Sequence, residues 1–113
     1  MSRWTELIKI ADENFWYPQD LYYDGPACYQ LVIAGTRKGN ARIVYVGETQ
    51  NERCRITAHA RRSSHLSEII DWHLAEGWHL YYRSQALLTK QMAFEMQNRL
   101  LSKHYFPWNK IGA

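Results

Sequence analysis

Residues 27–47 read ACYQLVIAGTRKGNARIVYVG, and this stretch decides the fold. Two β-rich runs, ACYQLVIA at 27–34 and ARIVYVG at 41–47, flank a segment with turn chemistry at 37–40. β-branched and aromatic residues favour strands, whereas Gly and Asn tolerate the backbone conformations of tight turns. The stretch therefore predicts a β-hairpin.

The segments after the hairpin predict helices and one further strand. Helical composition over 53–62 and helical spacing of apolar residues over 65–76 indicate two helices or one broken helix, which Gly77 ends. The run WHLYYRS at 78–84 is typical of a strand, and a long helical pattern follows at 87–104. The order β-β-α-α-β-α predicts a small α+β domain with a three-stranded sheet flanked by helices.

The last helix is predicted to be buried on two sides. Its apolar residues form two stripes that lie nearly opposite each other at about 100° per residue. One stripe is Leu88, Met92, Met96 and Leu100, and the other is Leu87, Phe94 and Leu101.

Residues 1–24 are predicted to be an N-terminal extension of a domain that spans 25–113. The boundary lies at the turn-rich Asp24-Gly25-Pro26. Apolar residues within 5–14 predict a short helix, and the aromatic-rich 15–23 is expected to be irregular. Its aromatic side chains could stack on bases or cover a hydrophobic face, and we expect the second.

Composition indicates a single soluble domain. The chain has 113 residues, of which 46% are hydrophobic, enough for one compact core. No apolar run approaches the ~20 residues of a membrane-spanning helix, and acids stand where a signal peptide would be apolar. We therefore expect a cytoplasmic protein with no membrane partner, whose two cysteines are buried free thiols.

The formal net charge of +3 is mildly favourable for binding a polyanion. The basic residues concentrate between residues 53 and 65, where no acid interrupts them. Such a patch is usually a solvated helix face, and nucleic-acid binding is the alternative. The candidate nucleic-acid-binding residues are Lys38, Arg53, Arg61 and Arg62.

An ordered set of short motifs resembles the GIY-YIG nuclease family from about residue 25 to residue 109. Each motif is weak alone, whereas their order is specific. The matching residues are Ala27-Cys28-Tyr29, Tyr45-Val46-Gly47, Arg55, His59, Glu95 and Pro107-Trp108-Asn109.

The resemblance implies a metal-dependent endonuclease that hydrolyses DNA phosphodiester bonds. It implies that Tyr29 activates water, that Tyr45 orients water or phosphate, and that Glu95 holds one Mg²⁺ or Mn²⁺ ion. The other catalytic candidates it implies are Arg55, His59 and Asn109, with His65 ranked below them.

The residue types suit this chemistry on their own terms. Arg55 offers a permanently charged planar fork to phosphate oxygens, and His59 shares its helix face at a spacing of four. Tyr29 is a poor base at the usual tyrosine pKa of about 10, so it requires neighbouring cations that lower this value. In isolation, each residue would more often be a packing, solvated or capping residue.

Two alternatives to an active nuclease remain open. Ala27 and Cys28 stand where the family has glycine and isoleucine, which suggests a catalytically weakened, structure-specific DNA-binding module. A protein-interaction domain on the same fold is the other alternative. Since the chain has little room for a specificity module, a homodimer or a protein partner is a further expectation.

Overall fold

In the computed structural model of the chain, which describes residues 3–16, 23–35 and 40–110, a four-stranded antiparallel sheet forms the centre. Its order is β1-β4-β2-β3. The strands are β1 (Ile8–Ala11), β2 (Ala27–Ala34), β3 (Ala41–Thr49) and β4 (His79–Ala86). The helices are α1 (Glu52–Ala60), α2 (Ser67–Ala75), α3 (Lys90–Lys103) and a 3₁₀ helix at Pro107–Lys110.

Strands β2 and β3 form the predicted hairpin. They pair antiparallel with Tyr29 opposite Gly47 and Leu31 opposite Tyr45, and the register shifts between Leu31 and Val32. β2 lies between β3 and β4, and nearly all of its residues are buried because alternate side chains enter cores on opposite faces of the sheet. Residues 37–39 of the predicted turn at 37–40 lie outside the described residues.

The N-terminal segment corrects the prediction of a three-stranded sheet. A strand, β1, stands where a helix was predicted, and it pairs antiparallel with β4. Ile8 lies opposite Tyr82, and Ile10 is fully buried. The edge of β4 that faces away from β2 offers backbone hydrogen bonds to an extended chain, which outweighs the weak helical pattern. From β2 onward, the predicted order of elements is confirmed.

Helices α1 and α2 are two separate helices joined by a turn. The Asn51 side chain caps α1 by accepting a hydrogen bond from the Cys54 amide. After α1 the chain passes through Arg62 with φ of 56°, and after α2 it passes through Gly77 with φ of 93°. Within the described ranges, no helix combines the length and apolarity that crossing a bilayer requires.

Two cores cover opposite faces of the sheet because side chains alternate along each strand. Tyr29 and Leu31 of β2 pack with Ile56 of α1 and Ile70 of α2, whereas their neighbour Cys28 packs with Ala93 of α3. The first core also contains Trp108, which is 4% exposed.

The prediction that α3 is buried on two sides is wrong. Ala93 is its buried residue, with Met96 and Leu100 packed beside it. Leu88 is 86% exposed, and Met92, Phe94 and Leu101 are also exposed. One face of α3 meets the sheet, so residues of both stripes face outward, while Leu87 of the second stripe packs in the second core.

Candidate active site

A chain of buried polar side chains links β2 to the turn after α1. The Tyr29 hydroxyl lies 2.9 Å from His59 Nε2, and His59 Nδ1 lies 2.8 Å from Ser64 Oγ. Tyr29 and His59 are 1% and 0% exposed. Ser64 Oγ also accepts a hydrogen bond from the Leu66 amide, which fixes the hydroxyl in place. Both ring nitrogens of His59 therefore have a partner.

Tyr45 and His65 continue this cluster toward the surface. The Tyr45 ring centroid lies 6.0 Å from those of Tyr29 and His59 and 5.9 Å from that of His65. Tyr45 is half-buried and His65 is exposed. The fold thus brings together four of the residues implied by the resemblance. From the interior outward to solvent, these are Tyr29 and His59, then Tyr45, then His65.

Gly47 makes the approach of the two tyrosines feasible. A Cβ atom on Gly47 would lie 2.6 Å from Tyr29 Cζ and 2.8 Å from Tyr45 Cε2. Real Cβ atoms do not approach other atoms so closely, so any larger residue would displace a tyrosine ring. Crowding by the two tyrosine rings thus explains why a glycine follows Tyr45-Val46.

An open groove of about 560 Å³ runs beside the end of β3. Glu48 lines it from β3, Cys54 and Arg55 line it from α1, and Lys90 lines it from the start of α3. The Arg55 side chain is exposed. Its charge lowers the pKa values of Tyr29, Tyr45 and His59, so it lies within electrostatic reach of the buried cluster.

Burial keeps Tyr29, Tyr45 and His59 uncharged at neutral pH. Burial raises the pKa of Tyr29 well above its usual value; the neighbouring Tyr45 adds to the rise, and Arg55 opposes it. Burial also raises the pKa of Tyr45. Burial, then the charges of Arg55 and His65, lower the pKa of His59 to about 3. The cations that were expected to lower the pKa of Tyr29 are therefore outweighed by desolvation.

Glu95 lies exposed on α3, where its Oε1 atom accepts a hydrogen bond from Gln91 Nε2 at 3.1 Å. Gln91 itself lines a neighbouring groove of about 400 Å³, together with Glu48 and Lys90. Glu95 thus stands one helical turn beyond a residue of that groove. Across residues 3–16, 23–35 and 40–110, no three His, Cys, Asp or Glu side chains form a metal-binding group.

A mostly hydrated divalent ion nevertheless fits Glu48, which lines both grooves, whereas Glu95 lines neither of them. Mg²⁺ keeps several of its waters and is often held by one or two carboxylates. The Oε2 atom of Glu48 is buried without a hydrogen-bond partner in the described part of the chain. A carboxylate oxygen in that position is suited to meet a cation or its water.

Asn109 holds the C-terminal 3₁₀ helix against β3. Its Oδ1 accepts from the Val46 amide at 2.9 Å, and its Nδ2 donates to the Val46 carbonyl at 2.8 Å. Both polar atoms of the amide are thereby engaged with the residue that follows Tyr45. The contact holds β3, and with it Tyr45, in position.

The basic segment is partly neutralised by acids that lie outside it in the sequence. Arg53 Nε lies 3.2 Å from Asp24, and Arg62 Nε lies 3.1 Å from Asp71. The Arg61 guanidinium lies 5.4 Å from the centre of the Trp16 ring. Lys38 lies outside the described residues. Residues 53–65 contain no acid in sequence, but in the folded protein acids from outside the segment lie next to two of its arginines.

Sequence reasoning missed Ser64 and Glu48. Ser64 meets His59 because the turn between α1 and α2 brings it back, and no motif marked it. Glu48 directly follows the motif glycine, and this adjacency was the one available signal.

Comparison with known proteins adds one match. A family model described as GIY-YIG domain-containing protein matches residues 23–113. Neither the curated proteins nor the solved structures gave a significant match.

Proposed function

Because this chain belongs to the GIY-YIG domain family, whose members are generally endonucleases, we propose that it is a metal-dependent endonuclease that hydrolyses DNA phosphodiester bonds. The observation that carries the proposal is the hydrogen bond between the Tyr29 hydroxyl and His59 Nε2, which are 2.9 Å apart. Both side chains lie deeper in the protein than the half-buried Tyr45. A cationic groove with Arg55 lies within electrostatic reach of this pair.

The scissile phosphate would lie in the groove beside Arg55. The guanidinium presents N–H donors in a rigid plane that matches two phosphate oxygens. Negative charge accumulates on these oxygens as water attacks, so the interaction is stronger in the transition state than in the ground state. Lys90, across the groove, adds a second positive charge near the phosphate.

Water activation would run through neutral Tyr29, since burial keeps its hydroxyl protonated. As the water attacks, the Tyr29 oxygen accepts a water proton, and the phenolic proton passes to His59 Nε2. This transfer requires the His59 tautomer with its proton on Nδ1, where Ser64 Oγ accepts it. The water would approach from the side of half-buried Tyr45, which orients it.

The low pKa of His59 makes it a weak base in the free protein. A phosphate against Arg55 would offset the positive charge that contributes to this low pKa. Substrate binding should therefore raise the proton affinity of His59 at the moment when a proton acceptor is required.

Glu95 would hold the divalent ion, with Glu48 as a second carboxylate at the neighbouring groove. A bound Mg²⁺ or Mn²⁺ ion supplies positive charge that stabilises the leaving oxygen. The protein's own part is to offer carboxylate oxygens and to keep Arg55 and Lys90 free for the phosphate.

The alternative of a catalytically weakened binder rests on Ala27 and Cys28. Ala27 lies in extended β2, paired with Thr49 and Ala86, so its methyl group fits without strain. Burial, then the charge of Glu48, raise the pKa of the Cys28 thiol to about 12, so it stays protonated. Neither substitution displaces Tyr29, which favours the active enzyme.

Incubation of the protein with supercoiled, linear, nicked and branched DNA, and with RNA, tests the proposal directly. Each substrate is combined with Mg²⁺, Mn²⁺ or EDTA. We expect cleavage of DNA that depends on the metal. Tight DNA binding without cleavage under all conditions would instead support the binding module.

The Glu95→Gln variant tests the metal ligand. We expect metal-dependent cleavage to be lost while the fold and most DNA binding remain. Glu68→Gln, which removes an exposed carboxylate from α2, is the matched control and should cleave normally. Wild-type turnover by Glu95→Gln would remove Glu95 from the site.

A further inference from the structure

A tight turn follows β1 and is held by its own polar contacts. The Asp12 amide donates to the Phe15 carbonyl at 2.8 Å, and Asp12 Oδ1 accepts from the amides of Asn14 and Phe15 at 2.9 Å each. Lys9 Nζ lies 3.1 Å from the same carboxylate. Fully buried Ala11 pairs with Trp16 across the turn. The turn is thus anchored to the central sheet.

This turn presents two aromatic side chains to solvent. Phe15 is 64% exposed and Trp16 is 43% exposed. The expected covering of a hydrophobic face is therefore incomplete at Trp16. Tyr17 and Tyr22 lie outside the described residues.

Arg61 joins Trp16 to the active-site helix. Its guanidinium lies 5.4 Å from the centre of the Trp16 ring, which is a cation–π contact. Arg61 follows the last residue of α1, and Arg55 stands six residues earlier on the same helix. Six residues span about 9 Å along a helix, close to the rise of two to three stacked nucleotides.

We propose that Phe15, Trp16 and Arg61 form a stacking platform for a base in an unpaired stretch of the DNA substrate, close to the scissile phosphate. This inference rests on the proposed nuclease function. Proteins bind single strands through aromatic faces combined with positive charge, and this surface has both. The bases of an intact duplex present their faces to each other, so the surface favours unpaired over paired DNA.

The platform lies largely outside the part of the chain that matches the family. The family match begins at residue 23, whereas Phe15 and Trp16 belong to the segment that adds β1 to the sheet. This segment therefore gives the chain a substrate-reading element of its own. A protein partner for the same surface is the alternative that the experiment must distinguish.

Fluorescence anisotropy with two labelled DNAs tests the platform. One is a fully paired duplex, and the other is the same duplex with a short unpaired gap. For Phe15→Ala and Trp16→Ala, we expect the affinity for gapped DNA to fall roughly tenfold, in line with measured base–aromatic stacking. The affinity for the paired duplex should change less than about twofold.

Tyr105→Ala is the matched control. Tyr105 is also an exposed aromatic residue, 68% accessible, with Lys110 Nζ 5.2 Å from its ring centre. We expect this variant to bind both DNAs as the wild type does. Phe15 is so exposed that its removal should leave the stability of the fold unchanged. Phe15→Ala therefore tests the platform even if Trp16→Ala lowers stability.

A 2-aminopurine base in the gap gives a second readout. Its fluorescence should be quenched by stacking when the wild type binds, and the quenching should disappear in Trp16→Ala. Equal losses on paired and gapped DNA, or no loss at all, would overturn the platform. Anisotropy measures binding and needs no cleavage. A selective loss of affinity for gapped DNA, in a protein that shows no nuclease activity, would therefore support the platform and contradict only the nuclease proposal.

Discussion

The Tyr29 hydroxyl and His59 Nε2 lie 2.9 Å apart, and both side chains are buried. Burying two polar side chains costs free energy unless their hydrogen bonds are made, and here Ser64 completes the set. Two apolar side chains would fill the same space without any need for hydrogen-bond partners. The arrangement therefore suits proton handling beneath the half-buried Tyr45.

Replacing Ser64 by alanine tests whether that serine sets the tautomer of His59. We expect the single-turnover cleavage rate at saturating DNA to fall on the order of tenfold, as loss of one hydrogen bond implies. The ¹⁵N chemical shifts of the His59 ring should show a changed tautomer population. Ser67→Ala, which removes a hydroxyl bonded to the Ser64 carbonyl, is the control. An unchanged His59 spectrum in Ser64→Ala would contradict the assignment.

Stability should fall in mild acid because of His59. Its folded pKa of about 3 lies below the usual 6.5, so in this window the unfolded chain binds a proton that the folded chain rejects. The free energy of unfolding therefore decreases as pH falls from 6.5 toward 3, by at most about 1.4 kcal/mol per pH unit.

Urea denaturation at pH 7 and pH 4.5 measures this effect. The wild type should lose roughly 2 to 3 kcal/mol more than His59→Gln over that range. The exposed His104 supplies the control variant, His104→Gln, which should follow the wild type. Parallel losses in wild type and His59→Gln would mean that His59 is not buried in its neutral form.

The contact between Gly47 and the two tyrosines makes Gly47→Ala a sharp packing test. A Cβ atom 2.6 Å from Tyr29 Cζ must displace the ring. We expect a loss of about 1 to 3 kcal/mol in stability and a loss of most activity, measured by denaturation and cleavage assays. At Gly35 an added Cβ would meet its nearest neighbour at 3.5 Å, so Gly35→Ala should be tolerated. Similar behaviour of the two variants would refute the packing argument.

Much of the fold follows from local sequence pattern. The hairpin of β2 and β3 rests on β-rich runs, and the helices rest on apolar spacing and on Gly77 as a stop. The motif order also anticipated that Tyr29, Tyr45 and His59 meet. These features depend on residues whose local preferences agree with the tertiary structure.

The features that sequence could not supply depend on long-range contacts. β1 is a strand because β4 offers an edge about 70 residues later in the chain, which no local preference reveals. The pairing of Arg53 with Asp24, 29 residues apart, likewise brings together distant segments. The exposure of Met92, Phe94 and Leu101 on α3 was mispredicted because helical spacing does not show what covers a face.

The single-turnover rate of Arg55→Ala at saturating DNA tests the central claim most directly, namely that a cationic fork beside the tyrosine and histidine cluster stabilises phosphodiester cleavage. We predict a rate lowered by on the order of 10²-fold or more, with a much smaller loss of affinity. Arg55→Lys should recover little of the rate, because an ammonium lacks the planar fork. Arg61→Ala, which removes an equal charge just beyond α1, should weaken binding and leave the saturated rate unchanged. Loss of affinity alone in Arg55→Ala, with the wild-type rate at saturation, would contradict the claim.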